Sequence, residues 1–169
     1  VTETRPALVP LTFEIGLRWG EDDSGTTASL WGFEVDDEIV FADDADETET
    51  SRASRRWGIE VAHRWWPSSW LCCDGGVALA GAWFVDDDPA GDDVPETLPI
   101  TVAAGMTAWW TGSLSTSLRV CHLGGQPWLG GEGGSAAATL VDVGLQWRLS
   151  AAAEFSFDVS NLLGSREDV

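Results

Sequence analysis

Catalysis by a nucleophile needs a histidine steadied by a carboxylate and aimed at a hydroxyl or thiol. The chain has two histidines, and neither is set up for that work. Alternation over residues 57–65 puts His63 on an apolar face with Trp57, Ile59, Val61 and Trp65, while His122 lies near a loop. Serine and aspartate are so common that no triad can be picked out by spacing. Cys72 and Cys73 are adjacent, so they point to opposite faces of an extended strand and can hardly bridge each other. Cys121 makes the count odd, with no metal-ligand spacing, and all three read as small strand residues. Gly130-Gly131-Glu132-Gly133-Gly134 opens no helix, and the chain has no lysine, so this is not a phosphate loop. Carboxylates crowd the segments 42–54 and 86–98, and Ca²⁺ takes about six to eight oxygens. They lack a recognisable ligand spacing, and solvated loops are the plainer reading. No catalytic, cofactor-binding or metal site is assigned, no cofactor is expected, and the chain is not read as an enzyme.

What the residues do carry is a rhythm. Eight stretches alternate apolar and polar residues with period two, near 10–20, 26–41, 55–66, 70–85, 99–110, 112–123, 137–149 and 152–162. Their connections alternate as well. Links after the first, third, fifth and seventh are tight: Glu21 to Gly25, Pro67 to Ser69, Thr111-Gly112 and Ser150-Ala151. Those after the second, fourth and sixth are long and rich in Asp, Glu, Gly and Pro. Strict short–long alternation and strands of ten residues or so suit an up-and-down transmembrane barrel. A Greek-key sandwich has no reason to keep it, because its connections cross between sheets. The fold class expected is therefore all-β: an antiparallel up-and-down meander of about eight strands, forming a transmembrane β-barrel or part of a larger one.

Tryptophan supports the same reading. The chain has 11 Trp and no Tyr. Trp19, Trp65, Trp66, Trp70, Trp109, Trp110 and Trp147 all sit beside the short turns, as an interfacial girdle would. No run of eighteen apolar residues exists for a spanning helix, and the mean hydropathy of -0.04 fits alternating strands. A net charge of -19 argues against nucleic acid as a partner. The opening residues Val1 to Pro6 are polar and do not read as a secretory signal. The N-terminus is therefore expected to be processed, or internal to a longer chain.

The alternation also assigns faces. Leu11, Phe13, Ile15, Leu17, Val141, Val143, Leu145, Phe155, Phe157 and Val159 are expected to meet lipid. Arg18, Glu60, Arg64, Asp142, Gln146 and Glu154 are expected on the lumen side. Arg119, Arg148, Glu14, Glu34, Asp36, Asp74 and Asp158 are placed there with them, which implies a wet, hydrogen-bonded interior.

Three stretches carry a resemblance to a known family. Ser51-Arg52-Ala53-Ser54-Arg55-Arg56-Trp57-Gly58-Ile59-Glu60 resembles the re-entry from a long loop into the wall of a TonB-dependent outer-membrane receptor. Asp86-Asp87-Asp88-Pro89-Ala90-Gly91-Asp92-Asp93-Val94-Pro95 looks like that family's loop before a late strand. The run Ala153 to Arg166, with alternating Phe155 and Phe157 and then Asn161-Leu162, is similar to its penultimate strand and turn. Such receptors resemble barrels of roughly 22 strands filled by a plug. The resemblance implies that residues 1–169 are one barrel segment from the C-terminal part of a receptor, without plug domain or energy-coupling segment. It also implies the outer membrane of a Gram-negative cell and energised uptake of a scarce ligand such as a ferric siderophore. The implied partners are outer-membrane lipid, the missing plug and barrel strands, and a TonB-type energy-coupling protein. No ligand-contacting residue carries over. The Cys72-Cys73 pair, the Gly-rich 124–134 segment and the stop at Val169 before an aromatic-ended closing strand depart from the family pattern.

Two other classes stay open. A free-standing eight-stranded outer-membrane barrel with a structural or adhesive role would pair residues 10–20 with 152–162. A soluble lipocalin-like carrier would reverse the two faces.

Overall fold

β-Branched and aromatic residues separated by single small or polar ones favour an extended, pleated chain, and a pleat sends successive side chains to opposite faces. The computed structural model describes residues 11–41, 48–85, 94, 97–126 and 134–165. It is one antiparallel sheet of eight strands in chain order. The strands are β1 (Leu11–Glu21), β2 (Ser24–Phe41), β3 (Thr48–Ser68), β4 (Leu71–Phe84), β5 (Ile100–Thr111), β6 (Leu114–Leu123), β7 (Ala138–Ser150) and β8 (Ala153–Val159). β1 and β8 lie at the two edges and do not pair with each other. The closed eight-stranded alternative is therefore not the arrangement seen.

Every hairpin at the short-turn end has a two-residue loop: Asp22-Asp23, Ser69-Trp70, Gly112-Ser113 and Ala151-Ala152. Such loops usually need positive φ to match the strand twist. None of these loop residues has it. Three hairpins instead carry a register shift just before the loop, at Trp65/Ser68, Trp109/Thr111 and Arg148/Ser150. The first has Gly20 at φ 156, with the Ser24 carbonyl where a Cβ would stand. Hydroxyls finish the job: Thr111 Oγ1 accepts from the Ser113 and Leu114 amides at 3.2 and 3.0 Å.

Residues directly opposite in an antiparallel pair share a face. One row across the sheet reads Ile15, Leu30, Ile59, Leu79, Ile100. Another reads Trp65, Cys73, Met106, Leu118, Val143, Val159. All ten residues expected to meet lipid fall on this apolar face. The six assigned to the lumen fall on the other. Burial is sparse: Val35, Cys72, Phe84, Val94, Ala108, Ala138 and Ser54 are enclosed, while all of β1 is exposed. Leu17 is 67% and Ile15 64% open. An apolar surface this continuous is far larger than a water-facing sheet tolerates, and hydrocarbon removes the penalty.

Three expectations need correction. Glu34 lies opposite Leu11 and Arg55, on the apolar face, because Leu30 and Gly32 set its parity. Its carboxylate receives Arg55 Nε at 2.7 Å, so the charge on that face is paired. β3 begins at Thr48 and not near residue 55, since the β2–β3 ladder continues past irregularities at Glu38 to Phe41 opposite Thr48. Backbone pairing needs no apolar face, so a charged run can be strand. β8 ends at Val159, short of residue 162. Asn161 adopts φ 52, its amide donates to Asp142 Oδ1 at 2.8 Å, and its side chain brackets Ser165. The segments 42–47 and most of 86–96 lie outside the described residues, and with them much of the two carboxylate-rich loops.

An arginine in place of Val143, which has Leu118 and Val159 beside it in its row, is expected to lower stability in bilayers by roughly 2–4 kcal/mol. Gln146→Arg, on the opposite face, should cost far less. Urea titration in liposomes reads both; equal losses would invert the face assignment.

Candidate functional site

The polar face is built from small residues with charges set among them. Along β4 it presents Cys72, Asp74, Gly76, Ala78, Ala80, Ala82 and Phe84, and along β5 Thr101, Ala103, Gly105 and Thr107. Short side chains leave room, and the long ones lean into it. Asp74 lies opposite Gly105, which lies opposite Arg119. The Asp74 carboxylate reaches over the glycine to Arg119 Nη1 at 3.6 Å. A Cβ at position 105 would stand 2.9 Å from both carboxylate oxygens. Arg119 is 63% exposed, so the pair contributes about 1 kcal/mol or less. Its main effect is to hold the guanidinium against the wall.

The same device recurs on β2 and β3. Trp31 lies flat over Gly58, where a Cβ would enter the indole, and donates Nε1–H to Glu60 Oε1 at 3.1 Å. Phe33 stacks beside it, with centroids 5.6 Å apart. Nearer the short turns Trp66 and Trp109 stack at 5.2 Å across β4, on the polar face rather than the apolar one. The turn-side tryptophans thus divide between the two faces. Arg148 and Glu154 approach to 3.8 Å beside the last turn.

Two hollows open on this face. One, about 470 Å³, is lined by Glu14, Gly16, Arg18, Ser29, Glu60 and Ala78 among others. A second, about 710 Å³, adjoins it toward the short turns and includes Arg18, Arg64, Trp66, Asp74 and Gly76.

The histidines are wall residues on the apolar face. His63 Nδ1 shares a hydrogen bond with Thr26 Oγ1 at 2.8 Å, and His122 Nδ1 with Thr139 Oγ1 at 2.9 Å. These cross-strand pairs satisfy polar atoms set in an apolar surface. Cys72 is buried on the polar face, and all three thiols are free. No group of three or more metal-ligating side chains occurs among the described residues. Close packing over Gly58 and Gly105 was hidden in the sequence, although glycine or alanine at alternate polar-face positions was its visible trace.

A single-layer wall with one apolar and one polar face invites comparison with known barrels. The family described as TonB dependent receptor-like, beta-barrel matches residues 11–162. The chain belongs to this receptor family. Two solved structures share the fold. The "Copper transporter OprC" superposes with a TM-score of 0.75 at 20% identity, over 90% of this chain and 25% of that one. The ferric yersiniabactin uptake receptor FyuA from Yersinia pestis gives 0.77 at 18% identity, over 92% of this chain and 25% of that one. This TonB-dependent receptor segment therefore spans about a quarter of the solved chains it matches. No curated protein matches its sequence.

Gly105→Val is expected to lower stability by roughly 1–3 kcal/mol by displacing the Asp74 carboxylate. In an Asp74→Ala background the same change should cost clearly less, because the obstructed group is gone. Chemical denaturation of the four proteins in the cycle reads the coupling. Additive losses would show that the carboxylate is not what fills the space over Gly105.

Proposed function

We propose that this chain is a wall segment, from the C-terminal part of the barrel, of a receptor in the outer membrane of a Gram-negative cell. It serves energised uptake of a scarce ligand. The observation that carries the reading is the unbroken two-faced ladder from β1 to β8, matched by the receptor family over residues 11–162. Outer-membrane transporters of about 22 strands enclose a plugged lumen, and eight strands supply roughly a third of such a wall.

In this reading the apolar face meets outer-membrane lipid and the polar face lines the lumen. The open edges of β1 and β8 pair with further strands of the same receptor, because unpaired backbone groups are not tolerated in hydrocarbon. The plug and the segment that engages a TonB-type energy-coupling protein belong to other parts of that receptor. The wall performs no bond-making chemistry. Its work is to bound a lumen, keep its backbone groups paired and present charges inward.

For the ligand, a metal ion or metal chelate is the class that both structural neighbours suggest, one being a copper transporter and the other a ferric yersiniabactin receptor. A ferric siderophore is the specific form proposed.

Uptake of radiolabelled ferric chelate by cells carrying the intact receptor should collapse on adding a protonophore. Liposomes holding only residues 1–169 should show no ligand-selective flux. Energised uptake by the segment alone would overturn the reading.

A further inference from the structure

Arginine is the chain's one strongly basic residue type, against 28 acids, and most of the described arginines are engaged. Arg55 pairs with Glu34, Arg119 with Asp74 and Arg148 with Glu154. Arg52 lies over the Phe84 ring at 4.1 Å, and Arg56 also has a partner. Arg18 and Arg64 are different: neither makes an ion pair with a described residue. In an acidic chain, two unpaired guanidiniums on one face call for an explanation.

Their placement supplies one. Arg18 lies opposite Thr27, Thr27 opposite Ala62, and Arg64 is two residues along β3 from Ala62. One strand separates β1 from β3, so the two backbones are roughly 10 Å apart. Guanidiniums on side chains of that length can meet over the small residues between them. Both line the 710 Å³ hollow, whose floor includes Gly25, Thr27, Ala62 and Gly76. That floor lets a group come down to the wall.

We propose that Arg18 and Arg64 hold a carboxylate group in this hollow. The planar fork of each guanidinium matches a carboxylate in two parallel hydrogen bonds. Charge argues for a singly charged group over a phosphate dianion. Asp74 lines the hollow directly opposite Arg64 in the β3–β4 pairing, although its carboxylate contact is with Arg119, and Glu21 and Asp22 line the hollow from exposed positions, so these acids offset part of the positive potential. The carboxylate comes either from a small solute in the lumen or from an acidic side chain of the receptor's own lumen-filling part. The inference rests on the polar face lining a lumen. Val143→Arg tests that face assignment without touching the hollow, so the two ideas can fail separately.

The test uses the intact receptor purified in detergent, with acetate and inorganic phosphate as probes. A solute site gives a calorimetric acetate signal that weakens about tenfold for each arginine replaced in Arg18→Gln and Arg64→Gln. Phosphate binds more weakly. A site filled by the receptor's own side chain gives no acetate signal in the parent. In that case the double variant raises amide hydrogen exchange over residues 14–20 and 60–66, and Arg148→Gln does not. Acetate binding unchanged by the substitutions, phosphate bound as tightly as acetate, or a double variant altering neither binding nor exchange would each overturn the proposal.

Discussion

Backbone amides and carbonyls in hydrocarbon have no water to fall back on, and each one left unpaired costs several kcal/mol. That demand explains the plainest property of this chain, which is that one ladder runs without a break from β1 to β8. Side-chain packing could not hold such a sheet together, because it is one layer thick and encloses few residues. Hydrogen bonds between neighbouring strands carry the architecture, and two-residue loops keep those neighbours adjacent in sequence. The ladder also fixes register strictly. A slip of one residue would turn Ile59 and Val61 inward and Glu60 and Arg64 toward lipid.

Given fixed register, the two faces solve different problems. The apolar face needs only cohesion with lipid, and its occasional polar atoms are tied up locally, as in Thr26–His63, Thr139–His122 and Glu34–Arg55. The polar face needs room as well as hydrogen bonds. Glycine provides it where a long neighbour must lie down: Trp31 over Gly58, Asp74 over Gly105. Covering a glycine with a ring also shields backbone that a strand glycine leaves open. Small residues are therefore not gaps in the wall's design. They set where its large side chains rest.

This difference explains what the sequence made legible. Alternation from Trp57 to Trp65 and from Phe155 to Val159 placed both faces correctly, and the tight links were found at all four hairpins. Period two is a backbone property, so it can be read one strand at a time. Glu34 resists assignment from sequence because strand β2 carries large apolar side chains on both faces, Trp31 and Phe33 on the polar face and Leu30 on the other, so its own alternation is blurred. Only the pairing with Leu11 and Arg55 resolves it. The early start of β3 and the halt of β8 at Asn161 were likewise invisible, since both depend on a partner strand. The stacks and the Arg18–Arg64 hollow need three strands at once. Sequence order alone does not give their spacing.

Charge follows the same logic of surroundings. On the polar face of the described strands, Arg18, Arg52, Arg56, Arg64, Arg119 and Arg148 stand with Glu14, Glu60, Asp74, Asp142, Glu154 and Asp158, so the two signs are close to balance. The chain as a whole carries -19. The described first turn adds the exposed Asp22 and Asp23, and the sequence carries further acids in the runs 43–49 and 86–96. If the polar face lines a lumen as proposed, charge there is screened less well than in open water, and like charges gathered on it would repel strongly. Asp22 and Asp23, exposed in the first turn, meet solvent and salt, and their repulsion is weakened. Near-neutrality along the polar face and exposed acids in the first turn are thus two results of one dielectric contrast. An arginine left without a partner on the wall is conspicuous for the same reason.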